Sequence, residues 1–363
     1  MKFLLVSPFT STCGSAIRFW NIALHLKQKG HDVVFIDRKS KNGESLYCSD
    51  QIKYHSCYST GNQFVDIFVS VFFNILIFFK NIDCEVFYAL KPAPNNCFPA
   101  LISRLLGKKI ILDVDDLDYA YLSGVNGRIF SFFFNLFPRF FPVITYHTPK
   151  LKRYLKTKAK IPENRLYYLA QGVSRQFFDV KVNEFVPYYK SIIYVATLGI
   201  TSDFGDLIPM LELLCEKHPD IVMSIVGEGC RKQEFVQRVR VSGLENQIKF
   251  KGKLNHVELP EFISSHRIGI NYMKPLEVNQ CRAILKIREY LACGLEVVCN
   301  NVGDVELFKS NIYIEEDLDL IRKRLEILFL SKPSRNYDGR LEMEKRFQWN
   351  GIIDDFCEKI ELI

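Results

Sequence analysis

The sequence predicts an α/β protein of two doubly wound, Rossmann-like domains, and three observations carry that expectation. Apolar strand-like runs alternate with helical stretches along the chain, the pattern of βαβ units laid into a parallel sheet. The alternation falls into two series, separated between Asp179 and Lys190 by a segment with Val180, Lys181, Pro187 and two tyrosines that reads as a linker. At 363 residues the chain is long for one hydrophobic core, and natural for two domains of about 150–200 residues each.

The first series opens with Phe3–Val6 as a buried strand, a helix around Ile17–Gln28 and a second strand at Asp32–Ile36. It continues through strands at Cys84–Leu90, Lys109–Asp113 and Val143–Tyr146, with a helix at Pro99–Leu106. The second series has strands at Ser191–Ala196, Ile221–Gly227, Gln247–Phe250, Ile268–Tyr272 and Glu296–Cys299. The final segment, Glu342–Ile363, reads as an amphipathic helix with Phe347, Trp349, Ile352, Ile353 and Phe356 as its apolar face. The expected domains are 1–182 and 188–341, with 342–363 as a terminal helix. No low-complexity segment or short repeat interrupts them.

Hydrophobic content of 48% and charged content of 25% describe a globular chain. The 11 cysteines include no C-x-x-C pair and no regular spacing. That argues for a reducing compartment, with the cytosol expected, and against a zinc site or a disulfide framework. None of the seven histidines makes metal-ligand spacing with another. The opening MKFLLVSPF is apolar only from Phe3 to Val6, too short for a signal peptide and right for a first strand.

The net charge of +7 is uneven: residues 1–180 hold 23 Lys+Arg against 13 Asp+Glu, and residues 181–363 hold 25 against 28. Six basic residues fall between Lys150 and Lys160 with no acid among them, next to the aromatic-rich stretch Phe130–Phe141. Basic residues beside aromatics suit an anionic membrane surface, and a solvated helix face is the alternative. Nucleic acid is not an expected partner, because no recognised binding module accompanies the charge. The run Phe64–Phe79 is strongly apolar, yet Asp66, Ser70 and Asn74 recur every four residues and mark one polar helical stripe. A spanning helix needs about 20 apolar residues, so a buried or membrane-skimming helix is expected instead.

The stretch LKIREYLACGLEVVCNN, Leu285–Asn301, carries the most specific chemistry: a helix bearing Lys286 and Glu289 ends at Gly294 and feeds an apolar strand. Free backbone N–H groups in a helix's first turn attract phosphate, and a carboxylate one turn further on accepts hydrogen bonds from sugar hydroxyls. Together they suit a nucleoside diphosphate with a ribose. The segment resembles the C-terminal signature of the group 1 (family 4) retaining glycosyltransferases of GT-B type. That signature is a pair of glutamates eight residues apart, followed by Ala-x-Gly and a Val-Val strand. Glu289 matches the second glutamate, Ala292 and Gly294 the turn, and Val297 and Val298 the strand. The first glutamate falls at Cys281 and is absent, with Glu277, Asn279 and Gln280 close by.

The resemblance covers most of the chain. Gly14–Asp37 is similar to the family's opening glycine loop, first helix and second strand, with the loop Ser11–Ser15 at the edge where open α/β sheets place ligands. Gly14 lets backbone approach a substrate closely. Asp113, Asp115, Asp116 and Asp118 crowd the end of a strand. In the other glycosyltransferase architecture, GT-A, an Asp-x-Asp pair holds a divalent metal. Here the acids lie far in sequence from the diphosphate helix, and the resemblance implies an acceptor-side loop. The family's usual acceptor-side histidine aligns with Asp115, which leaves Asp115 or Asp116 to polarise the acceptor hydroxyl. Helix capping or loop solvation accounts for at least one of the four acids.

Val143–Leu155 and Leu169–Asp179 match the segments that close the family's N-terminal domain, and put His147 near the expected cleft. Ile192–Leu207 holds the place where relatives present an arginine and a lysine to the diphosphate, and neither is present. Gly199 and the backbone from Leu198 to Ser202 are then expected to line the cleft, with Lys286 and Arg282 supplying positive charge. Gly227 belongs to the family's Gly-x-Gly turn, and Lys253 and Leu254, after Gly252, are placed to flank the base.

These matches imply a GT-B fold, two Rossmann-like domains facing across a cleft with the C-terminal helix crossing back to the N-terminal domain. They imply transfer of a sugar, with retention, from a nucleotide-sugar donor to an acceptor hydroxyl. Gly14, Asp115 and Asp116 would serve the acceptor, and Lys286, Glu289 and the amides near Ala283, Ile284 and Leu285 the donor. No metal or other cofactor is expected, the nucleotide sugar being substrate. A glycan or lipid-linked acceptor, in cell-surface polysaccharide or glycolipid assembly at the inner face of the cytoplasmic membrane, follows by analogy. Two rivals stand beside this reading: a nucleotide-sugar epimerase of GT-B fold that needs no acceptor, and a non-catalytic GT-B partner subunit. The second is motivated by the missing glutamate, histidine and arginine/lysine pair.

Overall fold

Apolar runs bounded by turn residues pair into two parallel sheets. The structure, a computed structural model, describes residues 1–10, 14–39, 51–122, 124–182 and 189–361. The first sheet holds strands β1 (Lys2–Thr10), β2 (Asp32–Lys39), β3 (Lys53–Tyr58), β4 (Val86–Leu90), β5 (Lys109–Val114), β6 (Val143–Tyr146) and β7 (Leu166–Tyr168). They are parallel, in the order β3-β2-β1-β4-β5-β6-β7. Chain order reverses between β1 and β4, so the crevice outside their C-terminal ends is where an open sheet of this kind binds ligands.

Helices α1 (Gly14–Gln28), α2 (Gln63–Lys80), α3 (Pro94–Leu105), α4 (Gly124–Leu136) and α5 (Pro149–Thr157) belong with this sheet. Adjacent residues of β4 show why its sequence is apolar throughout, because successive side chains point to opposite covered faces. Phe87 meets Phe78 of α2 at 6.1 Å between ring centroids, and Tyr88 meets Phe19 of α1 at 5.0 Å.

The second sheet holds β8 (Ser191–Val195), β9 (Val222–Val226), β10 (Ile248–Gly252), β11 (Ile268–Asn271), β12 (Glu296–Asn300) and β13 (Tyr313–Glu315), parallel in the order β10-β9-β8-β11-β12-β13. Its reversal lies between β8 and β11. Helices α6 (Gln176–Asp179), α7 (Phe204–Lys217), α8 (Lys232–Val241), α9 (Leu259–Ser264), α10 (Glu277–Gln280), α11 (Leu285–Ala292), α12 (Leu318–Leu330) and α13 (Tyr337–Arg346) accompany it. Ile192, Leu207, Ile225, Ile268 and Leu325 sit in one buried cluster.

Backbone contacts divide the chain into Met1–Gln171, Cys281–Ala283 and Trp349–Ile363 as one unit, and Gly172–Gln280 with Ile284–Gln348 as the other. The expected single helix over 342–363 is two helices, α13 and α14 (Trp349–Glu361), broken at Phe347 and Gln348. The break divides the expected apolar face. Phe347 is buried in the second unit against Phe308 at 5.3 Å, while Phe356 stacks on Tyr88 of the first unit at 5.5 Å. Strands β3, β7 and β13 have no counterpart in the sequence reading, because each is short and only partly buried and so lacks a long apolar run.

Helix α2 is inverted relative to an ordinary surface helix. Its polar stripe faces the protein: Asp66, Ser70 and Asn74 are buried. Asp66 accepts from the Ser59 hydroxyl at 2.6 Å and the Thr60 amide at 2.6 Å and pairs with Arg38, and Asn74 donates to the Asn95 carbonyl at 2.8 Å. The apolar residues between them point outward. Among the described residues no helix is long and apolar enough to cross a membrane.

The basic run 150–160 is less cationic than it reads. Lys152 and Lys156 each bind Glu163 at 2.6 Å. Within the neighbouring aromatic stretch, Phe134, Phe137 and Phe141 are buried.

Candidate functional site

Helix α11 is built to leave its first turn open. Its N-cap is Ile284, whose side chain has no acceptor, so no side chain caps the helix. The turn is fixed from behind instead. Asp304 accepts from the Ile284 amide at 3.1 Å and from the Arg288 guanidinium, and Arg288 also donates to the Ile284 carbonyl at 3.2 Å. Arg288 and Asp304 are both fully buried, with the guanidinium over the rings of Phe308 at 4.8 Å and Phe347 at 5.0 Å. Sequence reading missed this pair, because the partners lie sixteen residues apart in different elements.

One turn into α11, Glu289 is 2% exposed and accepts from Lys286 Nζ at 2.7 Å. The amides near Leu285, the Lys286 ammonium and the Glu289 carboxylate therefore lie within a single turn. The helix ends as its glycine requires: Gly294 has φ +75°, with its amide donating to the Leu291 carbonyl and the Leu295 amide to that of Tyr290. Tyr290 anchors the helix to the sheet. Its hydroxyl accepts from the Val195 amide at 2.8 Å, and its ring lies so close to Gly269 of β11 that a Cβ there would fall 2.4 Å from it.

The loops after β8 and β9 form the next part of this half. Gly227 has φ +145°, and a Cβ on it would lie 1.8 Å from the Ala196 carbonyl oxygen. The loops are laced by bonds from the Ala196 amide to Val226 and from the Leu198 amide to Glu228, at 3.0 and 2.9 Å. Gly199 is freer: a Cβ there meets only Thr197, at 3.7 Å. Two cations lie near this loop, each paired with an acid. Arg231 donates to the Ser202 carbonyl at 3.2 Å and binds Glu234, and Lys274 binds Asp206 at 3.0 Å. Lys253 is exposed and Leu254 half-buried in the loop after β10.

In the first unit the crowded aspartates take separate partners. Asp113 is fully buried against Arg18 and accepts from Thr145 at 2.9 Å; burial holds its carboxyl above the usual range despite the arginine. Asp115 is buried with Lys91 Nζ at 3.0 Å. Burial alone would raise its pKa, but Lys91, His147 and Arg18 together hold it below the usual range, so it stays anionic. Lys91 sits at φ +65°, unusual for a residue with a side chain, its amide donating to the Asp113 carbonyl at 2.7 Å.

Asp116 faces Arg282 at 3.5 Å, within the same unit. Arg282 therefore pairs with an acid of the first unit. Ala283 shares that unit, whereas Ile284 begins the other. At the place of the missing glutamate, the Cys281 carbonyl accepts from Thr148 at 2.8 Å. Among the described residues no three His, Cys, Asp or Glu side chains converge as metal ligands. Gly14 has open space around it; residues 11–13 of the expected loop and the Asp118 side chain lie outside the described residues.

A family profile described as glycosyl transferases group 1 matches residues 189–327. The C-terminal unit is similar to the group 1 glycosyl transferases. This match takes in Gly199, Gly227, Lys253, Leu254 and all of α11. A subunit of the human phosphatidylinositol N-acetylglucosaminyltransferase is 29% identical over 126 residues, 34% of this chain and 25% of its own length.

The whole chain has the GT-B fold. It superposes on sucrose-phosphate synthase from Thermosynechococcus elongatus with a TM-score of 0.78, at 13% identity, covering 100% of this chain and 98% of that one. It is also similar to HepE of Anabaena in complex with UDP, TM-score 0.75, at 14% identity with both chains wholly covered. At these identities the likeness carries the fold alone.

Proposed function

We propose that the protein transfers a sugar from a nucleotide-sugar donor to an acceptor hydroxyl, with retention of configuration and without a metal. The observation that carries this is the open first turn of α11 with Lys286 and Glu289 beside it, inside the part of the chain that matches the group 1 profile. A departing diphosphate gains most from preorganised N–H dipoles and an ammonium that need no rearrangement as charge develops. Glu289, buried and already hydrogen-bonded, is suited to grip ribose hydroxyls, while Asp115 or Asp116 orients and polarises the acceptor. UDP is the first nucleotide to test, because a structural relative holds it. The acceptor we favour is a glycan or lipid-linked hydroxyl of cell-surface polysaccharide or glycolipid assembly, met at the inner face of a membrane.

Thermal shift with UDP and other nucleoside diphosphates, followed by incubation with nucleotide sugars alone, tests the reading. A bound nucleotide at 100 times its Kd stabilises by about 2.7 kcal/mol. An epimer formed without acceptor would favour an epimerase, and the absence of any nucleotide effect would favour a non-catalytic subunit.

A further inference from the structure

The outward face of α2 is a feature that sugar transfer leaves unused. Val65, Phe68, Val69, Phe72, Leu76 and Phe79 recur at helical spacing and are all exposed, Phe68 by 67%, Phe72 by 66% and Leu76 by 60%. Because the buried side of the helix is held by hydrogen bonds to Asp66 and Asn74, rotation cannot hide these residues. The apolar surface continues. α3 packs beside α2 and exposes Leu105 by 87%, and Phe98 of α3 meets Phe137 at 5.3 Å, which brings in the turn after α4, a helix that exposes Val125 and Phe132.

Charge selects the occupant. The charged side chains that α2, α3, α4 and the turn Phe137–Phe140 expose are Lys80, Arg104, Arg128 and Arg139, all basic, while the acid of α2, Asp66, is buried against Arg38. A two-fold contact with a second copy would set these cations against themselves. An apolar face whose own elements expose cations and no acid fits the headgroup and acyl boundary of an anionic bilayer.

We propose that α2, with the exposed ends of α3 and α4, is the surface by which the protein lies on an anionic phospholipid membrane. This deepens the reading of a membrane-held acceptor, yet its test needs no sugar donor, so either can fail without the other.

The experiment is co-sedimentation with vesicles of phosphatidylcholine, with and without phosphatidylglycerol, beside light scattering of the protein alone. The intact chain should pellet with the anionic vesicles. Phe68→Glu with Phe72→Glu should lower the partition at least about tenfold, and Lys80→Glu with Arg128→Glu should do the same while removing most of the salt dependence. Both variants change exposed positions, and their melting temperatures should match the parent's. Equal partition of parent and Phe68/Phe72 variant, or no binding to anionic vesicles, overturns the proposal. So does a stable dimer that the Phe68/Phe72 variant converts to monomer, which would assign the face to a second copy.

Discussion

Asp304 reaches two points of one helix start, accepting from the Ile284 amide at 3.1 Å and from the Arg288 guanidinium. The first turn of α11 is thereby held without a capping side chain on its open side. Asp304→Ala leaves Arg288 charged and buried, and should destabilise by about 3 kcal/mol or more. Replacing both, Arg288→Met with Asp304→Leu, should recover much of that loss in a melting curve. Nucleotide affinity should stay depressed in the double variant, because Ile284 loses its anchor; full recovery of affinity would deny Asp304 a positioning role.

Glu289 is the residue on which the proposed donor pocket stands. Glu289→Gln keeps the volume of the side chain and loses the charge that meets Lys286. Steady-state kinetics at limiting donor should show kcat/KM reduced by about tenfold or more, equivalent to at least about 1.4 kcal/mol. Unchanged turnover would place the pocket elsewhere.

Two glycines of the same loops should behave oppositely. Gly227→Ala forces a Cβ to within 1.8 Å of the Ala196 carbonyl at φ +145°, a backbone clash and a strained conformation together costing about 2 kcal/mol or more. Gly199→Ala meets nothing closer than 3.7 Å, and its melting temperature should stay within about 2 °C of the parent's.

Asp37 sets a pH dependence. It is buried at 1% exposure on β2, accepting from the Ser56 hydroxyl at 2.7 Å, and burial lifts its pKa from 3.8 to about 6. The folded state thus binds this proton more tightly than the unfolded chain, so the group's stabilising effect is complete below pH 3.8 and is lost as pH rises through 6. Asp37→Asn should gain stability over the parent between pH 5 and pH 8 by about 1 kcal/mol, read as a widening difference in melting temperature. A constant difference would show that Asp37 keeps its ordinary titration.

The parts legible in the sequence were those encoded within about twenty residues. The strand before each turn, the helix 285–292 and its glycine end follow from local periodicity and the backbone freedom of Gly294. The crowded aspartates were visible, but not their separate partners: Asp113 finds Arg18, Asp115 finds Lys91 and Asp116 finds Arg282, each from a distant segment. The unbroken basic run hid the fact that Glu163 bridges two of its members.

By itself the sequence determined two parallel sheets with their helices and the short helix that ends at Gly294, because apolar period and turn chemistry act between near neighbours. Only the tertiary structure decided which side of α2 faces inward. A period reveals that a helix has two faces, and the choice between them rests on partners such as Arg38, Ser59 and Asn95, which satisfy the buried polar stripe and leave the phenylalanines to face outward.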